Sequence, residues 1–250
     1  MIALALIVLI AFAVETMAGF GATVITVTLA SQLFPVSEVL AALVPVNLLL
    51  SGYLVVRYRH EVDWHLVLRR GVLTMGLGVL VGLALYRLNG QAWMKAVFAT
   101  FVIVLSALEL GRLRRASEAK AASLPPALRL TALLSAGVMH GMFACGGPLL
   151  VYALSREIHE KGRFRATLSA IWLLLNGALV ANLVRAGELG RNSLQTSTVL
   201  LASLGLGVLI GERLHAKLPE RPFRLTVFWL LLVAGTALLA RTLFTGIQSR

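Results

Sequence analysis

The chain contains its own second copy, so whatever it folds into must accommodate two related halves. Residues Gly76-Leu77-Gly78-Val79-Leu80-Val81-Gly82 return as Gly205-Leu206-Gly207-Val208-Leu209-Ile210-Gly211, 129 positions later in a chain of 250. Ahead of them, Ser51-Gly52 aligns with Asn176-Gly177, and Ala41-Ala42-Leu43 with Ala166-Thr167-Leu168, both 125 positions apart. The halves belong in a bilayer. Hydrophobic residues make up 58% of the chain and charged ones only 14%, with a mean hydropathy of +0.87, whereas a soluble domain carries about 25% charged residues. Duplicated apolar halves with Gly-rich segments at matching places are the pattern of secondary transporters.

The net charge of +12 falls in short loops between apolar runs, so it reads as a topology signal and not as a nucleic-acid surface. The single cysteine, Cys145, excludes an internal disulfide and any multi-cysteine metal or iron–sulfur site. Neither metal nor cofactor is expected. The first residues lack the basic region of a signal peptide and the apolar run passes 20 residues, so this segment reads as one that stays in the membrane.

A membrane-crossing helix needs about 20 apolar residues. Residues 38–56, 70–86, 93–110, 166–184, 194–211 and 225–243 fit that length. Two segments, 2–34 and 128–154, do not; they stand at the head of each copy, and the second is interrupted by Cys145-Gly146-Gly147-Pro148. If both are single spans, giving eight crossings, the positive-inside rule leaves 13 of the 23 basic residues inside. If each enters and leaves on one side as a broken hairpin, 17 lie inside and six outside. The second threading fits better, and it sets the two copies upside-down relative to each other.

The expected architecture is therefore an all-α polytopic membrane protein of two homologous inverted repeats, each a broken, re-entrant-like hairpin plus three transmembrane helices. Repeat 1 covers 1–112, a basic cytoplasmic linker 113–127, and repeat 2 covers 128–250. Eight single-span helices, two of them long and tilted, are the alternative. Pro125-Pro126 stops any helix in the linker. Glu109 reads as an interfacial ion pair with Arg112, and the tryptophans as partly interfacial anchors, with Trp172, inside a span, as the exception.

Breaks in mid-membrane free backbone groups that hydrocarbon cannot satisfy, so they persist only against protein or a water-filled cavity. A half-helix starting after such a break points bare N–H groups and a positive dipole end into that cavity, which favours an anion. Gly19, Gly21, Gly146 and Gly147 read as site glycines; Gly71, Gly76, Gly78, Gly82, Gly205, Gly207 and Gly211 read as packing glycines. Glu15 and His140 stand beside the two breaks and are candidate proton-coupling groups, a neutral His140 bonded to a carbonyl being equally open. Asn47 and Asn176, with Ser51 and Thr167, offer amide and hydroxyl donors for an oxyanion or for holding helices together. Arg165 reads as a topology anchor or as an anion-steering charge.

No His-Glu-x-x-His, Gly-x-Ser-x-Gly or Walker loop is present, so no enzyme and no ATP-driven pump is expected.

The stretches Gly19-Phe20-Gly21-Ala22-Thr23-Val24-Ile25-Thr26-Val27 and Gly141-Met142-Phe143-Ala144-Cys145-Gly146-Gly147-Pro148-Leu149-Leu150-Val151, with Asp63-Trp64 and Arg165-Ala166-Thr167-Leu168, resemble the TauE/SafE sulfite exporter family along nearly the whole chain. Ala22 and Thr23 stand where the family often has glycine, and Thr28 and Tyr152 where it often has proline. The resemblance implies a multi-pass protein of the bacterial inner membrane that exports sulfite, sulfoacetate or a related sulfur-containing anion. The expected substrate site comprises Gly21, Ala22, Thr23, Asn47, Ser51, Cys145, Gly146, Gly147, Thr167 and Asn176. Partners are then a small anion and membrane lipid, with no nucleic acid and the oligomeric state open. A channel-like anion pathway and a non-transporting accessory protein are the rival readings.

Overall fold

The computed structural model describes residues 2–88, 91–115, 124–154, 157–158, 160–217 and 220–248, and every regular element among them is helical. The first half runs α1 (Ile2–Ala18), α2 (Ala22–Ala30) and α3 (Val36–Arg57). Then α4 (Trp64–Leu66) passes through a π-helical stretch (Val67–Met75) into α5 (Gly76–Leu88), followed by α6 (Gln91–Arg115). The second half runs α7 (Pro126–Phe143), α8 (Gly147–Leu154), α9 (Lys161–Arg185), α10 (Arg191–Lys217) and α11 (Glu220–Gln248). Most of the expected linker, residues 116–123, lies outside the described residues. Pro126 opens α7 rather than merely ending what precedes it, because a first-turn proline has no N–H to lose.

Val36–Arg57, Trp64–Arg87, Lys95–Arg114, Lys161–Arg185 and Arg191–His215 are long and apolar enough to cross a membrane, and Ile2–Ala18 and Phe228–Phe244 are shorter apolar helices. Leu6, Ile10, Leu77, Leu80, Leu206 and Leu209 are all more than half exposed. Water would penalise that much apolar surface, whereas lipid tails solvate it. The chain is a polytopic, all-helical membrane protein. Trp64, Trp93 and Trp229 are exposed while Trp172 is buried, and Glu109 pairs with Arg112 at 3.3 Å.

Both odd segments are broken helices. Gly19-Phe20-Gly21 divides α1 from α2, and Ala144-Cys145-Gly146 divides α7 from α8. In each case the two pieces pack on one another, so the chain adopts hairpins and not the two long single spans.

The packing scheme survives exchange of the halves. Helix α1 lies along α10 as its counterpart α7 lies along α5, while α3 pairs with α9 and α6 with α11. Gly52 approaches Leu173 where Gly177 approaches Leu48, so α3 and α9 run antiparallel. The α5–α7 and α1–α10 contacts depend on missing side chains. A Cβ on Gly78 or Gly82 would strike the Leu134 or Val138 carbonyl, and one on Gly211 would meet Ala13 O and Thr16 Cβ, each at 2.6 Å. A Cβ on Gly71, inside the π-helical stretch, would come within 2.7 Å of Ile171 Cγ1, whereas Gly76 and Gly205 face open space despite belonging to the repeated motif.

Candidate functional site

The first break needs glycine. Gly19 and Gly21 have φ of 82° and 118°, values open to a residue without Cβ. In the second break Ala144, 125 positions after Gly19, takes the same left-handed turn at φ 52°. A helix that ends inside a membrane leaves carbonyls without partners, and here the neighbouring helices supply them. Arg165 Nη1 donates to Thr16 O at 3.0 Å, Trp172 Nε1 donates to Gly19 O at 2.9 Å, and His215 Nδ1 lies 2.7 Å from Met17 O. At the end of α7 the chain closes on itself, with Ala144 N donating to His140 O at 2.7 Å.

The N-terminus of α2 is not bare, as the sequence suggests it should be. The Ala22 N–H donates to Glu15 Oε2 at 2.8 Å, so a carboxylate from the preceding helix already occupies the anion-favouring end.

Between the breaks lies a small cavity that brings Gly21, Thr23, Asn47, Cys145, Gly147 and Asn176 together with Glu15 and His140. Phe20, Val24, Ala144 and Trp172 complete its wall. Trp172 stacks on His140, ring centroids 5.3 Å apart, while its N–H holds the first break. Its sequence signal is its place one helical turn before Asn176. Four expected residues lie off the cavity wall. Ala22 gives its N–H to Glu15, Gly146 packs against the Ala136 carbonyl and Met75, and Ser51 Oγ donates to Asn47 O at 2.9 Å. Thr167 accepts the Asp63 N–H at 3.0 Å.

The cavity is polar and under-satisfied. Asn47 Nδ2 donates to Thr23 Oγ1 at 3.2 Å, but Asn47 Oδ1, both amide atoms of Asn176 and both ring nitrogens of His140 are buried without a protein partner. Each such atom costs about 1–3 kcal/mol if nothing bonds it. Five converging on one small space therefore favour a polar occupant.

Next to the first break stands an ion cluster, which we call the plug. The Arg165 guanidinium lies 4.2 Å over the Tyr58 ring and 3.4 Å from Glu212 Oε1, while Tyr58 donates its hydroxyl to Glu212 Oε2 at 2.7 Å. Burial, and then the Glu212 carboxylate, push the Tyr58 hydroxyl above its ordinary pKa, so it remains a donor. Just beyond, Asp63 accepts the Leu66 N–H at 3.1 Å and binds Arg163 Nη2 at 2.5 Å. Burial works against the Asp63 charge, but these donors prevail and hold its carboxyl below the usual range.

A second small cavity adjoins the first, and Ala144 borders both. At the repeat offsets of 125 and 129, every member of the plug has a counterpart on this second wall. Leu40 stands for Arg165, Leu83 for Glu212, Leu183 for Tyr58 and Tyr86 for His215, with Gly141 and Met142 for Thr16 and Met17. One position of the repeat thus holds an ion cluster, whereas leucines stand in its twin for Arg165, Glu212 and Tyr58.

The chain matches the family model described as Sulfite exporter TauE/SafE over residues 4–238. It is 28% identical over 166 residues to the probable inner membrane transporter protein TsaS of Comamonas testosteroni, covering 66% of this chain and 67% of that one. No solved structure matches it. Broken hairpins, apolar spans and the extent of the family match agree on a multi-pass inner-membrane protein. The chain belongs to the TauE/SafE sulfite exporter family of membrane transporters.

Proposed function

We propose that the protein is a secondary transporter that exports a small, sulfur-containing anion, such as sulfite or a sulfonate, across the cytoplasmic membrane by alternating access. The observation that carries this reading is the convergence of both helix breaks on five unpartnered buried polar atoms. The anion sits between the breaks. Asn47, Asn176 and the backbone at Gly21, Thr23, Cys145 and Gly147 coordinate it, while Ala22, Ser51, Gly146 and Thr167 hold those groups in place. Glu15 and His140 are the candidate proton-coupling groups.

The halves, 1–112 and 128–250 joined by the basic linker 113–127, act as inverted repeats. Support comes from the α3–α9 pair: when equivalent helices run antiparallel, the axis relating the halves lies across them, in the membrane plane. The ion plug faces the cytoplasm, where the charge split puts the start of α9. Exchange of the two conformations of the halves opens one side as it closes the other. The function proposed is transport and not catalysis.

The test is counterflow. Purified protein in liposomes preloaded with sulfite should take up labelled sulfite in a saturable manner, and thiosulfate or sulfonates should compete while acetate should not. Flux rising linearly with concentration would point to a channel instead, and flat traces for every anion would discard the reading.

A further inference from the structure

The two breaks share a geometry and differ in chemistry. Glu15 and His140 are counterparts 125 positions apart, and so are Ala22 and Gly147, the first residues of α2 and α8. In the first half a carboxyl oxygen is already seated, because Glu15 Oε2 accepts the Ala22 N–H at 2.8 Å. The leading amides of a helix lack intrahelical acceptors and its dipole favours negative charge there. In the second half the counterpart side chain carries no negative oxygen. His140 turns its ring onto Trp172, and both of its nitrogens lack a partner although it is only 1% exposed. Asn176, also 1% exposed, is unpartnered at both amide atoms. Both line the same cavity as Gly147.

Resting on the transport reading, we propose that the N-terminus of α8, with His140 and Asn176, is the seat of the transported oxyanion, which occupies it as Glu15 occupies the matching place in the first half. The donors are of three kinds: the Gly147 N–H, the Asn176 Nδ2 hydrogens and whichever ring nitrogen of His140 carries a proton. Donors from three directions suit a compact oxyanion with several equivalent oxygens, a sulfite or sulfonate group, better than a planar carboxylate. Gly147 leaves the approach clear, since a Cβ there would come within 3.3 Å of Phe20 Cβ. Glu15 lines the same cavity and, when ionised, repels the incoming charge, so its protonation state sets how tightly the anion is held.

The test is equilibrium binding of methanesulfonate and thiosulfate to the purified full chain, by calorimetry, with melting temperature as the fold control. Neither probe changes charge around neutral pH. His140→Glu copies the first half's arrangement into the second and should weaken binding at least tenfold. Asn176→Asp, which alters charge and not shape, should do the same and serves if the first variant does not fold. Glu15→Gln should tighten binding. Wild-type affinity in folded His140→Glu and Asn176→Asp would overturn the seat, as would Glu15→Gln weakening binding more than either. If the wild type neither binds nor exchanges any anion, the transport reading fails and the seat with it. If counterflow persists while both second-half variants are silent, only the seat fails.

Discussion

Arg165 lies 4.2 Å over the ring of Tyr58, joining the start of α9 to the residue that closes α3. Its side chain is almost fully buried, and it also donates to Thr16 O, a carbonyl freed by the first break. The residue that closes one face is therefore bonded to the break that borders the cavity. Arg165→Ala should open that face. Cys145, the chain's one cysteine, is buried on the cavity wall and reports on this directly. Alkylation of Cys145 by a membrane-impermeant maleimide should rise about tenfold from the cytoplasmic side, the change produced by a 1.4 kcal/mol shift of a two-state equilibrium. Glu212→Gln should move it the same way by less. Equal rates in wild type and Arg165→Ala would mean that the plug is not the barrier.

Gly78 and Gly76 stand two residues apart with opposite roles. A Cβ on Gly78 would collide with the Leu134 carbonyl and come within 2.9 Å of Gly137 Cα, backbone that cannot step aside, whereas Gly76 has nothing within 4 Å. Gly78→Ala should destabilise by about 1–3 kcal/mol or more through overpacking, and Gly76→Ala should be neutral or stabilising by up to about 1 kcal/mol. Melting of the two variants in detergent separates them.

Gly19→Ala should impair transport more than folding. The substitution strains a φ of 82° and pushes a methyl to 3.1 Å from Arg165 Cα, disturbing both the break and the plug. A positive-φ non-Gly residue costs of order 1–3 kcal/mol, a loss of stability that a melting curve resolves. Counterflow at unchanged expression should fall several-fold, and normal flux would show that the turn does not position the cavity.

Acid should loosen the loop that joins α3 to α4. The Asp63 carboxyl has a lowered pKa in the folded chain, so its stabilising contribution is complete above the ordinary carboxylate range, near pH 4, and disappears as pH falls through the folded value. Arg163 is half exposed, which limits the ion pair to about 1 kcal/mol or less. Asp63→Asn keeps the bond from Leu66 N–H and should lose only that pair, together with the acid dependence. Asp63→Ala also removes the cap and should cost about 1 kcal/mol further. Hydrogen exchange at residues 58–66 as a function of pH reads both.

Much of this fold is written in the residues one at a time. Gly19, Gly21 and the Cys145-Gly146-Gly147-Pro148 run mark their breaks because few other residues tolerate such turns inside a membrane. Asn47, Asn176, Glu15 and His140 stand out because polar groups are scarce there, and all four reach the same cavity. What the sequence hides is where each polar group spends its hydrogen bonds. Ser51 and Thr167 read as plausible donors beside Asn47 and Asn176, yet the Ser51 hydroxyl is taken by the carbonyl one turn back, a habit of helical serines, and Thr167 is engaged by a loop 104 residues away. The Glu15–Ala22 bond spans seven residues across a chain reversal, which no helical period announces. Nor does any period mark the π-helical stretch, where Gly71 meets Ile171.

Under the alternating-access proposal, the unequal fates of Arg165 and Leu40 amount to two doors hung on one symmetry but made of different materials. On that reading, ionic strength acts on the door latched by Arg165 and Glu212, because they form an ion pair. On the Leu40–Leu83 side, leucines replace Arg165 and Glu212, and Arg87 reaches that wall through its bond to Asn182 at 2.8 Å. A small hydrophobic molecule wedged there should then jam the carrier from one side, with less dependence on salt than a ligand held at the Arg165–Glu212 side.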